Sequence, residues 1–112
     1  MCFKLGQGIF GKIRFRDGDF PVYGRPYLII TVATDYIEVL NVSSSRGKER
    51  KLAFPTNEAL RVYKPPFILP SFVKLDSLTR IDASDWGSFT LLMHGATLDA
   101  TELERIQKLV IR

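Results

Sequence analysis

The sequence predicts a small, mostly-β domain of the α+β class, drawn as a compact barrel with one helix appended at its C-terminal end. About five or six segments have the apolar, β-branched and aromatic composition of strands. Helical periodicity is clear only in the last segment of the chain. The chain has 112 residues, of which 46% are apolar, and this suits a single domain that spans residues 1–112.

The strand predictions follow the chain in order. Residues 9–15 alternate apolar and basic side chains, which is typical of a half-buried strand. Residues 27–32 and 36–42 are apolar and β-branched, and a tight turn at residues 33–35 would join them as a hairpin. Pro26 suits the first residue of a strand because it has no N–H to donate. Further strands are predicted at residues 52–56, 71–75 and 77–81.

The C-terminal helix has the clearest predicted boundaries. Asp99 is expected to be its N-cap, with Glu102 three residues later in a capping-box pattern, where each side chain accepts a hydrogen bond from a free backbone N–H. Leu98 and Leu103 take the staple positions on either side of the cap. A short helical turn capped by Asp82 is predicted earlier in the chain. The face of the helix toward the core is expected to carry Leu103, Ile106, Leu109 and Val110.

Charge and composition indicate a polyanionic partner and exclude several kinds of site. The chain has 16 Lys and Arg residues against 12 Asp and Glu residues, a net charge of +4. Its one cysteine, Cys2, and one histidine, His94, are too few for a zinc cluster or a pair of catalytic imidazoles. His94 is predicted to be a turn residue, and we expect no metal or other cofactor. A secretory signal and an apolar run of about 20 residues are both missing, so a cytoplasmic protein is expected.

The candidate functional residues lie at one predicted end of the sheet. If residues 27–32 and 36–42 pair, Arg25 at the start of one strand lies at the same end as Ser43, which follows the other. An arginine offers a planar fork of donors that suits a phosphate, and serine hydroxyls could hold the remaining oxygens. The alternative interpretation is an exposed strand end beside a solvated loop. A basic run follows, with Arg46, Lys48, Arg50 and Lys51.

At these residues the sequence resembles a known family. The run from Gly24 to Ile30 resembles the Arg-Pro and apolar-strand signature of the MazF/PemK toxins of toxin–antitoxin pairs. Residues 39–44 resemble the strand that ends in the active-site Thr or Ser of that family. Residues 54–57 and 72–82 are similar to further segments of the family in the same order. The resemblance covers roughly residues 8–82 and is followed by a predicted helix where the family has one.

The resemblance implies an SH3-like or CcdB-like β-barrel that forms a homodimer. It implies a metal-independent, sequence-specific endoribonuclease that cuts single-stranded RNA, leaves 2′,3′-cyclic phosphate and 5′-OH ends, and is neutralised by a cognate antitoxin. Arg25 would be the catalytic arginine and Ser43 its hydroxyl partner, with Ser44 as the nearest alternative. The general base is left open among Asp17, Asp19 and Asp76.

Further residues are expected to bind the RNA. Basic side chains would attract its backbone, and aromatic side chains of the first loop could stack on its bases. A second hypothesis keeps the barrel without catalysis, as an inactive homologue or a module that binds nucleic acid or a protein such as a topoisomerase. The predicted RNA-binding residues are Lys12, Arg14, Phe20, Tyr23, Arg46, Lys48, Lys51, Asp76 and Ser77.

Overall fold

An antiparallel sheet of seven strands and one C-terminal helix make up the part of the chain that the structure describes, which confirms the mostly-β α+β class. This computed structural model describes residues 2–13, 22–44, 50–51, 54–60, 66–67 and 70–112. Two 3₁₀ segments, Ala83–Ser88 and Leu92–Gly95, lie on either side of the last strand. The strands and the helix are β1 (Gly8–Gly11), β2 (Arg25–Val32), β3 (Tyr36–Ser44), β4 (Asn57–Ala59), β5 (Ser71–Lys74), β6 (Thr79–Asp82), β7 (Thr90–Leu91) and α1 (Ala100–Leu109).

The long strand β3 organises the sheet. One of its edges pairs with β2, and its other edge pairs first with β6 and then with β5. The strand order is β4-β5-β3-β2-β1-β7. Within the described residues β4 and β7 are the two edges, so the sheet is open there. The predicted hairpin is confirmed, with Tyr27 opposite Asn41 near one end and Val32 opposite Ile37 at the other.

A bulge joins β5 to β6 along the edge of β3. Val42 pairs with Val73. Three residues earlier on β3, Val39 pairs with Thr79, which is six residues further along the partner. The segment between β5 and β6 therefore has three residues more than the stretch of β3 that it faces, and these residues bulge out of the ladder. The strands predicted at residues 71–75 and 77–81 are confirmed as β5 and β6, but β6 begins only at Thr79, and Ser77 lies in the bulge between them.

Both faces of the sheet are buried. On β2, Leu28 and Ile30 belong to one core, which α1 covers with Ile106. Tyr27 and Ile29 belong to a second core on the opposite face. Because side chains alternate across a strand, a strand with two buried faces is a continuous apolar run, and this explains the composition of residues 27–30.

Two further strand predictions were wrong in their limits. β1 ends at Gly11 rather than continuing to residue 15, because its partner β2 begins at Arg25, opposite Gly11. Residues 14 and 15 lie outside the described part of the chain. The strand expected at residues 52–56 begins only at Asn57, after a bend and turn at residues 54–56. Pro55 cannot donate to a ladder, which favours a turn at this point.

The helix prediction is largely confirmed. The carboxylate of Asp99 accepts a hydrogen bond from the Glu102 N–H at 3.1 Å, as expected of an N-cap. The Glu102 carboxylate does not complete the capping box but binds Arg105, and it is buried there. Leu103 packs against the core as predicted. Leu109 was wrongly assigned to the core: it is 42% exposed on an outer groove beside Lys108.

Candidate functional site

Arg25 and Ser43 lie at the same end of the sheet. β2 begins at Arg25, β3 ends at Ser44, and the two strands are antiparallel. The last paired residues of their ladder are Tyr27 and Asn41, and Arg25 and Ser43 each lie two residues beyond that pair. The hairpin therefore brings these two residues to the same end of the sheet, as the sequence predicted.

The strand alternation also assigns both residues to one face. Arg25 is two residues from Tyr27, and Ser43 is four residues from Val39, and both of those residues belong to the core opposite the helix. Side chains two residues apart share a face of a strand, so Arg25 and Ser43 lie on that face. Ser44 lies on the opposite face, opposite the buried Ser71 of β5. The Ser43 hydroxyl donates to the Ser44 carbonyl at 3.5 Å.

A buried tyrosine connects Arg25 to the second core. Tyr27 is 6% exposed, and its ring lies edge-on to Phe89 with 6.3 Å between the ring centroids. Burial raises the pKa of the Tyr27 hydroxyl, and the charge of Arg25 and a backbone hydrogen bond from Ile13 partly oppose this rise. The Arg25 guanidinium therefore lies close enough to influence a titratable group of the core.

Lys12 is the next cation along this edge. It follows Gly11, the residue opposite Arg25 on β1, and its side chain is exposed. Lys12 also lines a surface cavity of about 120 Å³. Two cations, a carboxylate and a hydroxyl surround this cavity above a floor of apolar side chains. They are Lys12, Arg80, Asp85 and Ser88, above Ile81 and Phe89.

Strand β6 and the 3₁₀ segment Ala83–Ser88 form the wall of the cavity opposite Lys12. Arg80 lies over the ring of Tyr36, 4.0 Å from its centroid, and its Nε donates to Asp82 at 2.8 Å. The helical turn predicted after Asp82 is confirmed as the 3₁₀ segment Ala83–Ser88. The predicted cap is wrong, because the Asp82 side chain makes no capping hydrogen bond and binds Arg80 instead. Trp86 anchors the segment by donating to the Ile81 carbonyl at 3.1 Å.

Of the polar cavity residues, sequence reasoning selected only Lys12. Arg80 lies within the family-like segment 72–82 and was assigned no role there, and Asp85 was part of a predicted turn. A single cation on a strand is a weak signal, because most such side chains are solvated. Only the pairing of β6 with β3 and the path of the 3₁₀ segment bring these residues to Lys12.

The other predicted residues are more dispersed. Tyr23 is 77% exposed, close to the start of β2. Lys51 is exposed in a 3₁₀ turn, and its carbonyl accepts a hydrogen bond from the Asn57 amide at 2.9 Å. Asp76 is exposed in the bulge, and the neighbouring Ser77 hydroxyl is engaged by two backbone groups. Outside the described residues lie Arg14, Asp17, Asp19, Phe20, Arg46 and Lys48.

His94 lies in a turn, as predicted. It belongs to the 3₁₀ segment Leu92–Gly95, where His94 and the preceding Met93 both have positive φ. Among the residues that the structure describes, no group of three His, Cys, Asp or Glu side chains could hold a metal ion. In the same part of the chain, no helix has the length and apolar character needed to cross a membrane.

The chain matches no protein-family model, and no curated protein is significantly similar to it.

Proposed function

We propose that this protein is a metal-independent endoribonuclease of the MazF/PemK toxin type, which cuts single-stranded RNA at short sequences in the cytoplasm. In this proposal the sheet belongs to an SH3-like or CcdB-like barrel, and the protein acts as a homodimer. A cognate antitoxin, acidic and partly disordered, would bind the end of the sheet that carries Arg25 and Ser43 and block access of RNA to it. The observation that carries the proposal is the position of Arg25 and Ser43 at one end and on one face of the β2–β3 hairpin.

The chemistry needs a site that stabilises charge on a phosphate. The 2′-OH of the RNA attacks the adjacent phosphorus: a bond from O2′ to phosphorus forms and the bond from phosphorus to O5′ breaks. A base takes the proton of the 2′-OH and an acid returns a proton to O5′, which leaves a 2′,3′-cyclic phosphate and a 5′-OH end. Negative charge grows on the phosphoryl oxygens in the transition state, and a fixed guanidinium and hydroxyl stabilise it there.

We assign these roles to Arg25 and Ser43. Arg25 is exposed at the strand end, so its planar fork of donors can reach a bound phosphate. Ser43 supplies the hydroxyl on the same face. Of the candidate bases, Asp76 is the one that lies within the described residues, exposed in the bulge beside β3. Lys12 and Tyr23 extend the site as a phosphate contact and a stacking platform.

The test is cleavage of a long single-stranded RNA in excess EDTA, with the ends of the products mapped. Wild type is expected to make discrete cuts with 5′-OH ends. Arg25→Ala is expected to lower the rate by about 10²–10³-fold, as removal of one oxyanion donor does. Arg112→Ala is the matched control, because Arg112 is an exposed arginine whose contact is a 3.6 Å ion pair with Glu38.

Two outcomes of the cleavage assay and one growth assay distinguish the two hypotheses. Equal cutting by wild type and Arg25→Ala would contradict the assignment of Arg25. Intact RNA that the wild type nevertheless binds would favour the non-catalytic binding module on the same barrel. Growth assays provide the matching result in cells: expression of wild type is expected to stop growth, whereas Arg25→Ala is expected to accumulate as a folded, harmless protein.

A further inference from the structure

The cavity beside Lys12 carries two charged side chains to which the cleavage chemistry assigns no role, Arg80 and Asp85. Its floor is apolar, with Ile81 and Phe89, and its rim carries Lys12, Arg80 and Asp85. Its volume is about 120 Å³. A closed protein cavity of about 150 Å³ holds one benzene molecule, so this smaller space at the surface has room for at most one six-membered ring.

The cavity lies next to the proposed cleavage site. Gly11 is paired with Arg25, and Lys12 is the next residue, so the backbones of Lys12 and Arg25 lie within about 9 Å of each other. Phe89 lies directly against Gly11: a Cβ atom added to that glycine would be 2.5 Å from the ring. The floor of the cavity is therefore in contact with the strand that borders Arg25. If Arg25 binds the scissile phosphate as proposed, a neighbouring nucleotide lies beside the cavity.

Described contacts position Arg80 of the rim and the backbone that carries Asp85. Arg80 is oriented by the Tyr36 ring beneath it and by its hydrogen bond to Asp82. Asp85 belongs to a 3₁₀ segment that Trp86 anchors to the Ile81 carbonyl. The Trp86 ring also packs on Phe3, with 5.3 Å between their centroids. The carboxylate can accept hydrogen bonds from an exocyclic amine, and the cations can donate to a ring carbonyl or ring nitrogen.

We propose that this cavity binds one pyrimidine base of the RNA, cytosine ahead of uracil, and thereby contributes to the choice of cleavage sequence. The ring size favours a pyrimidine over a purine. The Asp85 carboxylate favours cytosine, whose N4 amine donates where uracil presents a carbonyl. The role of the cavity in RNA cleavage rests on the proposed function. Binding of a base in the cavity is tested independently of cleavage.

The first experiment measures binding of free nucleotides to the wild-type protein. The probes are CMP, UMP, AMP and GMP, with inorganic phosphate as the control ligand. Trp86 is the only tryptophan of the chain, so its fluorescence reports on the segment that carries Asp85, and amide chemical shifts of residues 80–89 locate the ligand. CMP is expected to bind most tightly, UMP next, and both purines at least about fivefold more weakly than CMP. Equal binding of phosphate and CMP, or no shifts in this segment, would overturn the proposal.

The second experiment uses Asp85→Ala with Glu104→Ala as the matched control. Both carboxylates are exposed, and Glu104 lies on α1 in an ion pair with Lys108. Asp85→Ala is expected to weaken CMP binding about tenfold, the effect of losing one charged hydrogen bond, and to reduce the preference for CMP over UMP. The control is expected to bind CMP as wild type does. Thermal unfolding of each variant verifies that it is folded.

Cleavage maps separate a failure of this proposal from a failure of the proposed function. If wild type cuts RNA, Asp85→Ala is expected to change the distribution of cut sites, with fewer cuts next to cytosine. Unchanged cut sites and unchanged CMP binding would reject the base cavity while the endoribonuclease stands. If wild type cuts no RNA, the proposed function fails, and the nucleotide titrations still decide whether the cavity accepts a pyrimidine.

Discussion

The Ser77 hydroxyl accepts a hydrogen bond from the backbone N–H of Asn41 at 2.8 Å and donates one to the carbonyl of Lys74 at 2.6 Å. A side chain thus satisfies a backbone donor of β3 at the point where the β5–β6 bulge interrupts the ladder. The bulge lies near the end of β3 that carries Ser43. Ser77 was predicted to bind RNA, and its contacts give it a structural role in holding this end of the sheet.

Ser77→Ala is expected to destabilise the fold by about 2 kcal/mol, because the Asn41 N–H loses its hydrogen-bond partner and the Lys74 carbonyl keeps only the backbone N–H of residue 77. Urea unfolding followed by circular dichroism measures the change. Ser84→Ala is the control: Ser84 is exposed in the 3₁₀ segment, and its truncation should change the free energy of unfolding by less than about 0.5 kcal/mol. Equal stability of the two variants would show that the bulge does not depend on the hydroxyl.

Two glycines provide a matched pair of packing tests. A methyl group at Gly11 would lie 2.5 Å from the Phe89 ring, whereas one at Gly87 would have no atom within 4 Å. Gly11→Ala is therefore expected to lower the free energy of unfolding by about 2 kcal/mol through overpacking. Gly87→Ala is expected to be neutral or stabilising by up to about 1 kcal/mol, because it restricts the unfolded chain. Thermal melts of both variants test this, and the prediction is wrong if Gly11→Ala is tolerated as well as Gly87→Ala.

The ion pairs of α1 differ in burial and should differ in energy. Arg105 bridges the buried Glu102 and Glu58 of β4, so its removal leaves a desolvated carboxylate without its cation. We expect Arg105→Ala to destabilise the protein by about 2–3 kcal/mol, since Arg105 itself is only partly buried. Lys108→Ala removes an exposed pair with Glu104 and should have an effect below about 0.5 kcal/mol.

A second-site change tests the reason for the Arg105 effect. If the uncompensated charge of Glu102 causes the loss, adding Glu102→Gln to Arg105→Ala should recover part of the stability. Both variants are measured by denaturant unfolding at the same pH. No recovery in the double variant would assign the loss to packing of the arginine stem instead.

The raised pKa of Tyr27 predicts that the free energy of unfolding falls in strong alkali. Burial raises the pKa of Tyr27 in the folded protein above its ordinary value of 10.0, so the folded state retains a proton that the unfolded state releases. The contribution is fully present below pH 10 and is lost as the pH rises through the folded pKa. Unfolding free energies between pH 8 and about pH 12 should therefore fall less steeply for Tyr27→Phe than for wild type. Parallel curves for the two proteins would show that Tyr27 titrates normally.

The face of each serine predicts which hydroxyl serves the proposed reaction. Ser43 shares a face with Arg25, whereas Ser44 lies on the opposite face of β3. In the EDTA cleavage assay, Ser43→Ala should therefore reduce the rate at least about tenfold more than Ser44→Ala. A larger effect of Ser44→Ala would shift the hydroxyl role to that residue.

Local patterns predicted the elements whose partners are near in sequence. The hairpin of β2 and β3 follows from two apolar runs and a tight turn, and its antiparallel pairing alone places Arg25 near Ser43. The Asp99 cap was equally readable, because a capping side chain and its backbone donor are three residues apart. Composition and periodicity report on interactions between residues a few positions apart, and both the hairpin and the helix cap depend on such local interactions.

The tertiary structure decided where strands end and which distant residues meet. β1 stops at Gly11 because β2 begins opposite it, and the Ser77 bulge exists because β5 and β6 share one edge of β3. The cavity joins Lys12 to Arg80 and Asp85, which lie far from it in the chain and to which no local pattern assigned a role. The sequence by itself determined the class of fold, the central hairpin and the capped helix, since these depend on local hydrogen bonds and on the sidedness of each strand. Strand limits, the bulge and the cavity depend on long-range packing, which periodicity does not encode.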